Sequence, residues 1–326
     1  MKNDTKNKII EILQKSNGEF VSGERLAKES GVSRSAVWKV INLLKKDGYL
    51  VEGVTNKGYR LQNAGGVLCQ HAITRLLSQT PLKKVEVVKE ISSTSKRLKE
   101  MAESGCESDY LLIANMQTDG VGRYGRKFYS PKESGIYFSL LLRPDKDVKV
   151  LTNVTVAMAV AVAQATEEIV GESCQIKWVN DILMSDKKVC GILTEGSINI
   201  ETLSMNFLIV GVGINLYSPD GGFAEEIKHI AGSITKDKQI DKNLYLSQII
   251  KNFYALFDNL EGESLYESYR RRLAFVGCEV DILKNGEKVN SGVILGVERD
   301  YNLIVRLFDG NIQKLDSGEI SVKVAR

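Results

Sequence analysis

The chain has 326 residues, a formal net charge of +3, and 43% hydrophobic against 26% charged residues. That length exceeds one ordinary domain and favours two or three, while the composition is that of a globular protein and excludes collagen-like, fibrous and disordered classes. The longest apolar stretch, Val154 to Ala163, is too short to cross a bilayer and is followed by Gln164 and Glu167. Met1 to Lys8 is polar and carries no signal-peptide pattern, so a cytoplasmic protein with no membrane partner is expected. Five cysteines (Cys69, Cys106, Cys174, Cys190, Cys278) form no CxxC pair, and only His71 and His229 accompany them. Buried free thiols are expected, with neither a disulfide framework nor a metal site. Residues 1–66 hold 12 Lys/Arg against 7 Asp/Glu, so the remainder of the chain is slightly acidic. A basic excess confined to one end suits a nucleic-acid surface, and equally a solvated face.

Three short helices are predicted first. Ile9, Ile10 and Leu13 share a face closed by Asn17-Gly18, and Ser22 caps a second helix that stops at Gly31. Ser33 caps a third, with Val37, Val40, Ile41 and Leu44 inward and Asp47-Gly48 at its end. Tyr49 to Val54 and Tyr59 to Leu61 read as strands around Asn56-Lys57-Gly58. This is the layout of a winged helix-turn-helix. Arg34, Ser35, Trp38, Lys39 and Asn42 then face outward, with Arg34 and Ser35 placed to reach base edges and Lys57 to touch phosphate. A winged helix used for protein contacts is the alternative.

From about Val67 to Asp258 the pattern becomes α/β. Strands are predicted at Val85–Val88, Tyr110–Ala114, Ile136–Leu142, Gln175–Trp178, Val189–Thr194 and Phe207–Val212, and helices at Ser95–Glu103, Leu151–Val170 and Lys242–Asp258. A hairpin across Ser185-Asp186 makes the sheet mixed or antiparallel, hence α+β and not a Rossmann fold. Gly120-Val121-Gly122-Arg123-Tyr124-Gly125-Arg126-Lys127 interleaves glycines with basic residues, which suits close backbone approach and phosphate binding. It lacks the GK[ST] of a Walker A loop, and a plain surface loop has the same composition. Lys177-Trp178-Val179-Asn180-Asp181 closes an apolar strand. Gly211-Val212-Gly213-Ile214-Asn215 puts glycines on alternate positions, where something approaches the backbone. Ser92-Ser93-Thr94-Ser95 reads equally as a helix N-cap.

Taken in order, Ser93-Thr94, Gln117 with the Gly-Arg loop, Lys177-Trp178-x-Asn180-Asp181, Gly191-Ile192-Leu193-x-Glu195, Gly211-x-Gly213-Ile214-Asn215 and Gly318-Glu319-Ile320-Ser321 resemble the bifunctional biotin–protein ligase/biotin operon repressors over essentially the whole chain. The resemblance implies three parts: a DNA-binding winged helix over residues 1–66, a mixed-sheet ligase domain over 67–273 and an SH3-like β-barrel over 274–326. It implies an ATP-dependent enzyme that forms biotinyl-5′-AMP with Mg2+ and passes biotin to a lysine of the biotin carboxyl carrier protein. It also implies a repressor that dimerises and binds operator DNA when biotinyl-AMP is bound.

By position, Lys177 is the principal catalytic residue, with Arg123 holding the adenylate. Ser93, Thr94, Ser95 and Gln117 line the biotin pocket; Gly120, Val121, Gly122, Gly125 and Arg126 close over the ligand, and Gly191, Gly213 and Asn215 bind biotin or the adenylate. Asn180, Asp181 and Lys323 serve the ATP phosphates, and Ser22, Ser33, Arg34, Ser35, Lys39 and Lys57 serve DNA. Val121 stands where many relatives have arginine, removing a charge from the lid, and Phe128 stands where a tryptophan is usual. Lys323 replaces an arginine, a point charge in place of a planar donor. A lipoate–protein ligase and a non-catalytic small-molecule sensor are the competing readings.

Overall fold

The Ser22 side chain accepts a 3.1 Å hydrogen bond from the Arg25 N–H and so starts the second helix of the chain, while Gly31 ends it in the left-handed conformation. The computed structural model describes residues 2–324 except 17, 47–48, 50, 62–65, 108, 146–147, 152, 200, 202–203, 237–239, 285 and 317–319. Two compact units form, one from residues 1–75 with 238–244 and one from residues 76–237 with 245–326.

The first unit holds α1 (Lys2–Lys15), α2 (Gly23–Ser30), α3 (Arg34–Lys46), the hairpin β1 (Val51–Val54) and β2 (Gly58–Leu61), and most of α4 (Gln70–Leu76). Its core is Ile9, Leu13, Leu26, Val37, Ile41, Leu44, Val51 and Leu61, so the inward faces of the predicted helices are those observed; Val40 packs against this core half-buried. Gly58 is required at the hairpin. Its φ is +102°, and a Cβ there would lie 2.2 Å from the Val21 carbonyl oxygen. Returning to this unit, Asn243 accepts from the Cys69 N–H at 2.8 Å and donates to the Val67 carbonyl at 2.9 Å. The helix stops expected at Asn17 and Asp47-Gly48 lie outside the described residues, as do Gly318-Glu319 of the last motif.

The second unit is built on a seven-stranded mixed sheet. Its strands are β3 (Lys84–Val88), β4 (Tyr110–Ala114), β5 (Gly135–Leu142), β6 (Gln175–Lys177), β7 (Asp181–Met184), β8 (Lys187–Asn199) and β9 (Ser204–Asn215), in the order β3-β4-β5-β9-β8-β7-β6. Only β3 and β4 run parallel, joined through α5 (Thr94–Glu103), and the other neighbours are antiparallel. Alternation gives the sheet two faces. Leu98 and Ala102 of α5 cover one, with Tyr110, Leu112, Leu141 and Ile209. The other face receives α7 (Val154–Val170), whose Thr155 hydroxyl donates to Thr194 at 2.8 Å. The middle of α7 is buried on every side, as its uniform apolarity requires.

The single helix predicted over Leu151–Val170 is two, α6 (Val148–Leu151) and α7, broken at Asn153, whose side chain donates to the Leu260 carbonyl. Strands β8 and β9 outrun their apolar stretches because the hairpin continues beyond the core. After α8 (Lys242–Phe257), the amphipathic α9 (Glu263–Arg270) was not foreseen.

A five-stranded antiparallel sheet closes the chain: β10 (Glu279–Lys284), β11 (Glu287–Val297), β12 (Leu303–Leu307), β13 (Ile312–Leu315) and β14 (Ile320–Val324), in the order β13-β12-β11-β10-β14. Trp178 donates its indole N–H to the Tyr301 carbonyl at 3.0 Å, and Tyr269 meets the Tyr301 ring edge-on at 5.5 Å. Burial pushes the Tyr301 hydroxyl up to about 12. Of the thiols, Cys174 and Cys190 are buried as expected; Cys69 and Cys106 are half-buried and Cys278 is exposed, against expectation.

Candidate active site and DNA-binding face

Strand register assembles the site. Lys177 stands opposite Asp181, Asp181 opposite Gly191, Gly191 opposite Gly213 and Gly213 opposite Tyr137. Directly opposed residues share a face, so five strands contribute one continuous row. The next row runs Leu193, Gly211, Ser139 and Leu112. Gly211 leaves room for Ser95, whose Oγ would lie 2.4 Å from a Cβ at that position. Gly191, Gly211 and Gly213 therefore lie beneath their neighbours, brought together from separate stretches of sequence.

Polar groups converge at the start of α5. Ser93 is 1% exposed and caps the helix. Thr94 donates its backbone N–H and its hydroxyl to the Gln117 carbonyl oxygen at 2.9 and 3.1 Å. The Gln117 amide donates to Ser130 at 3.0 Å, while Ser139 bonds Thr94 at 2.7 Å and Ser95 at 2.9 Å. Ser93, Thr94, Ser95 and Gln117 thus stand together as predicted. Ser130 and Ser139 complete the network and were missed, since each lies in an unremarkable local sequence.

The Gly-Arg loop folds back on itself. The Phe128 N–H donates to the Gly120 carbonyl at 2.8 Å and the Gly122 N–H to the Arg126 carbonyl at 2.7 Å, while Val121 bridges Lys127. A single 3-10 turn spans Arg123–Gly125, with Gly125 at φ +69°. Arg123 reaches Asn180 Oδ1 at 3.4 Å and lies over the Tyr124 ring, whereas Arg126 is exposed. Phe128 covers the glycine row: a Cβ on Gly213 would sit 2.3 Å from its ring, and one on Gly191 would sit 3.2 Å away.

Asn180 is 8% exposed and donates to the Ile192 carbonyl, which fixes the turn between β6 and β7. Asn215 ends β9 opposite Gly135. A second cation, Lys188, belongs to this site. Its Nζ lies 2.7 Å from Asp181 Oδ1 and 3.0 Å from a Cβ placed on Gly191. Unbroken alternation would put Lys188 on the side of Cys190. The register shift between Ile182 and Leu183, opposite Lys188 to Cys190, turns it onto the Gly191 face. Lys323 pairs by its backbone with Asp281 in the C-terminal sheet, and its side chain lies outside the described residues.

In the first unit, Ser22 and Ser33 use their hydroxyls to cap α2 and α3, the latter accepting from the Ala36 N–H at 3.2 Å. Ser35 bonds Ser33, and Arg34 pairs with Glu24 at 2.7 Å. Lys39 and Lys57 are exposed. The Lys57 ammonium and the Arg60 guanidinium lie 6.0 and 4.7 Å from the Phe20 ring centre, which places two cations at the wing.

Residues 87–215 match the Biotin/lipoate A/B protein ligase family, and residues 5–60 match an HTH domain. The bifunctional ligase/repressor BirA of Bacillus subtilis is 36% identical over 256 residues, which is 78% of either chain. The bifunctional ligase/repressor BirA of Escherichia coli is 30% identical over 324 residues, covering 98% of this chain and 97% of that one. Among solved structures, the biotin protein ligase of Aquifex aeolicus in complex with biotin and ATP has a TM-score of 0.63 at 29% identity, covering 75% of this chain and all of that one. A glycine-floored sheet under a Gly-Arg loop, behind an N-terminal helix-turn-helix and aligned end to end with such a relative, makes this chain a member of the bifunctional biotin–protein ligase/repressor family.

Proposed function

We propose that the protein activates biotin with ATP, transfers it to a lysine of the biotin carboxyl carrier protein, and represses transcription through residues 1–66. Residues 67–273 carry the ligase, and residues 274–326 an SH3-like domain. The observation that carries the ligase reading is the cross-strand row, where Lys177, Asp181 and Lys188 stand beside the glycine floor under the loop that bears Arg123.

A biotin carboxylate oxygen attacks the α-phosphorus of ATP and pyrophosphate leaves. An acceptor amine then attacks the acyl carbon and AMP leaves. The first step brings a carboxylate against the phosphates, and the second builds negative charge on the acyl oxygen and the departing AMP, so the work of the chain is alignment, charge neutralisation and exclusion of water. Lys188 and Lys177 neutralise charge near the carboxylate and α-phosphate, Asp181 holds Lys188 in position, and Arg123 retains the adenylate from above. Thr94, Ser95 and Gln117 offer donors and acceptors to the ureido group of biotin, with Ser93 and Asn215 at the edges. Gly120, Val121, Gly122, Gly125 and Arg126 form the cover, and Lys323 serves the ATP phosphates.

Mg2+ bound with the triphosphate would supply positive charge that offsets the phosphates. Asn180 and Asp181 offer it oxygen donors. Among the described residues no group of three or more His, Cys, Asp or Glu side chains is arranged to hold a metal.

The test is adenylate formation from biotin, Mg2+ and α-labelled ATP, with lipoate in parallel. Labelled biotinyl-AMP is expected from biotin alone, and replacing Lys188 or Lys177 with Met is expected to lower the rate by about a hundredfold. Product only from lipoate transfers the assignment to the other acid, and no product with either leaves a sensor.

A further inference from the structure

Trp38 is 59% exposed on α3, in a unit whose other large apolar side chains mostly build the core. Ser35, Trp38, Lys39 and Asn42 follow the i, i+3, i+4, i+7 spacing of one helix face, with Arg34 beside them. An indole of this exposure leaves roughly 150 Å² of mostly apolar surface in water. The cations Arg34, Lys39 and Lys45 on the same helix and Lys57 at the wing are all exposed, and residues 1–66 carry the positive excess of the chain. Exposed basic groups and an apolar plate on one helix complement a surface with phosphates at its edges and apolar groups between them. The major groove is such a surface: the thymine 5-methyl is its apolar feature, and an α-helix fits its width.

We infer that Trp38 is a specificity-determining residue that packs against thymine methyl groups in the major groove, with Arg34 and Lys39 on flanking phosphates or base edges. The inference rests on the proposed operator binding and adds to it an apolar readout of thymine beside the polar contacts of Arg34 and Ser35. Arg34 pairs with Glu24 of α2, and the exposed indole stands one turn further along the same helix face.

The chain has two tryptophans, and Trp178 is only 4% exposed, so quenching by acrylamide reports mainly on Trp38. The probe is a duplex of about 40 base pairs, long enough for two half-sites, enriched from a random library by the protein with biotin and ATP. On saturation with this duplex, acrylamide quenching of the wild type is expected to fall towards that of a Trp38→Phe variant, which shows only Trp178. The same duplex made with uracil in place of thymine lacks only the methyl groups, and wild-type affinity for it is expected to drop about tenfold. Trp38→Ala, confirmed folded by circular dichroism, is expected to bind both duplexes equally.

A saturated complex in which Trp38 stays open to acrylamide overturns the inference, and so does equal wild-type affinity for the two duplexes. Loss of quenching on adding biotin and ATP without DNA overturns it in favour of a protein contact. If no duplex is enriched, the repressor reading fails as well, whereas binding that ignores the thymine methyls sinks this inference alone.

Discussion

Gly213 carries no side chain because Phe128 already fills the space above it. Gly213→Ala is expected to push that ring aside and cost about 1–3 kcal/mol, as overpacking does. Chemical denaturation checks this, and Phe128→Leu in the same chain should restore part of the loss; an unchanged midpoint would mean that Phe128 does not rest on the floor. At this scale the alternate glycines of Gly211-Val212-Gly213 stood out by residue type alone, whereas Lys177 and Thr94 were singled out through the resemblance, since a strand flank and a helix cap have the same local look. Lys188 was not, because simple alternation assigns it to the opposite face and only a local register shift redirects it. Ser130 and Ser139 escaped notice because their partners are distant in sequence, Ser139 meeting Thr94 across 45 positions.

Among elements, α7 is anchored at its C-terminal end by an ion pair that sequence patterning does not reveal. Glu167 is partly buried, which raises its pKa. The Arg272 guanidinium and the Cys174 N–H outweigh that and hold the carboxyl below its ordinary value. A carboxylate with a depressed pKa contributes stability above its unfolded pKa, and the contribution disappears as pH falls through the lower, folded value. Unfolding midpoints should therefore fall as acid is added below the usual carboxylate range, and Glu167→Gln should flatten that dependence. Arg272→Met, which strands a half-buried carboxylate, should cost on the order of 3 kcal/mol near neutrality. Elements with strong caps or long apolar runs (α2, α5, β4 and β5) were readable. The amphipathic α9 was not, because its two tyrosines and few aliphatics give a weak pattern over eight residues.

For the molecule as a whole, ligand and DNA binding are joined by linkage: if adenylate tightens operator binding, operator tightens adenylate binding by the same factor. A homodimer carrying two copies of α3 would present them to a palindromic site. Operator affinity should rise when biotin and ATP are added, as measured by a gel-shift titration. Equal affinity in their absence would remove regulation and leave the ligase standing. The fold class followed from the alternation of elements. That the chain returns to its first unit at residues 238–244 did not, since no local pattern announces such a visit.

That return decides where the protein can be cut. Asn243 is 3% exposed, and both its partners, the Val67 carbonyl and the Cys69 N–H, come from the stretch just beyond the hairpin. A ligase shortened to begin at residue 67 keeps them. One shortened to begin at residue 76 leaves a buried amide facing nothing, an omission that costs about 1–3 kcal/mol. The shorter fragment should melt earlier in calorimetry although it lacks no residue of the catalytic row.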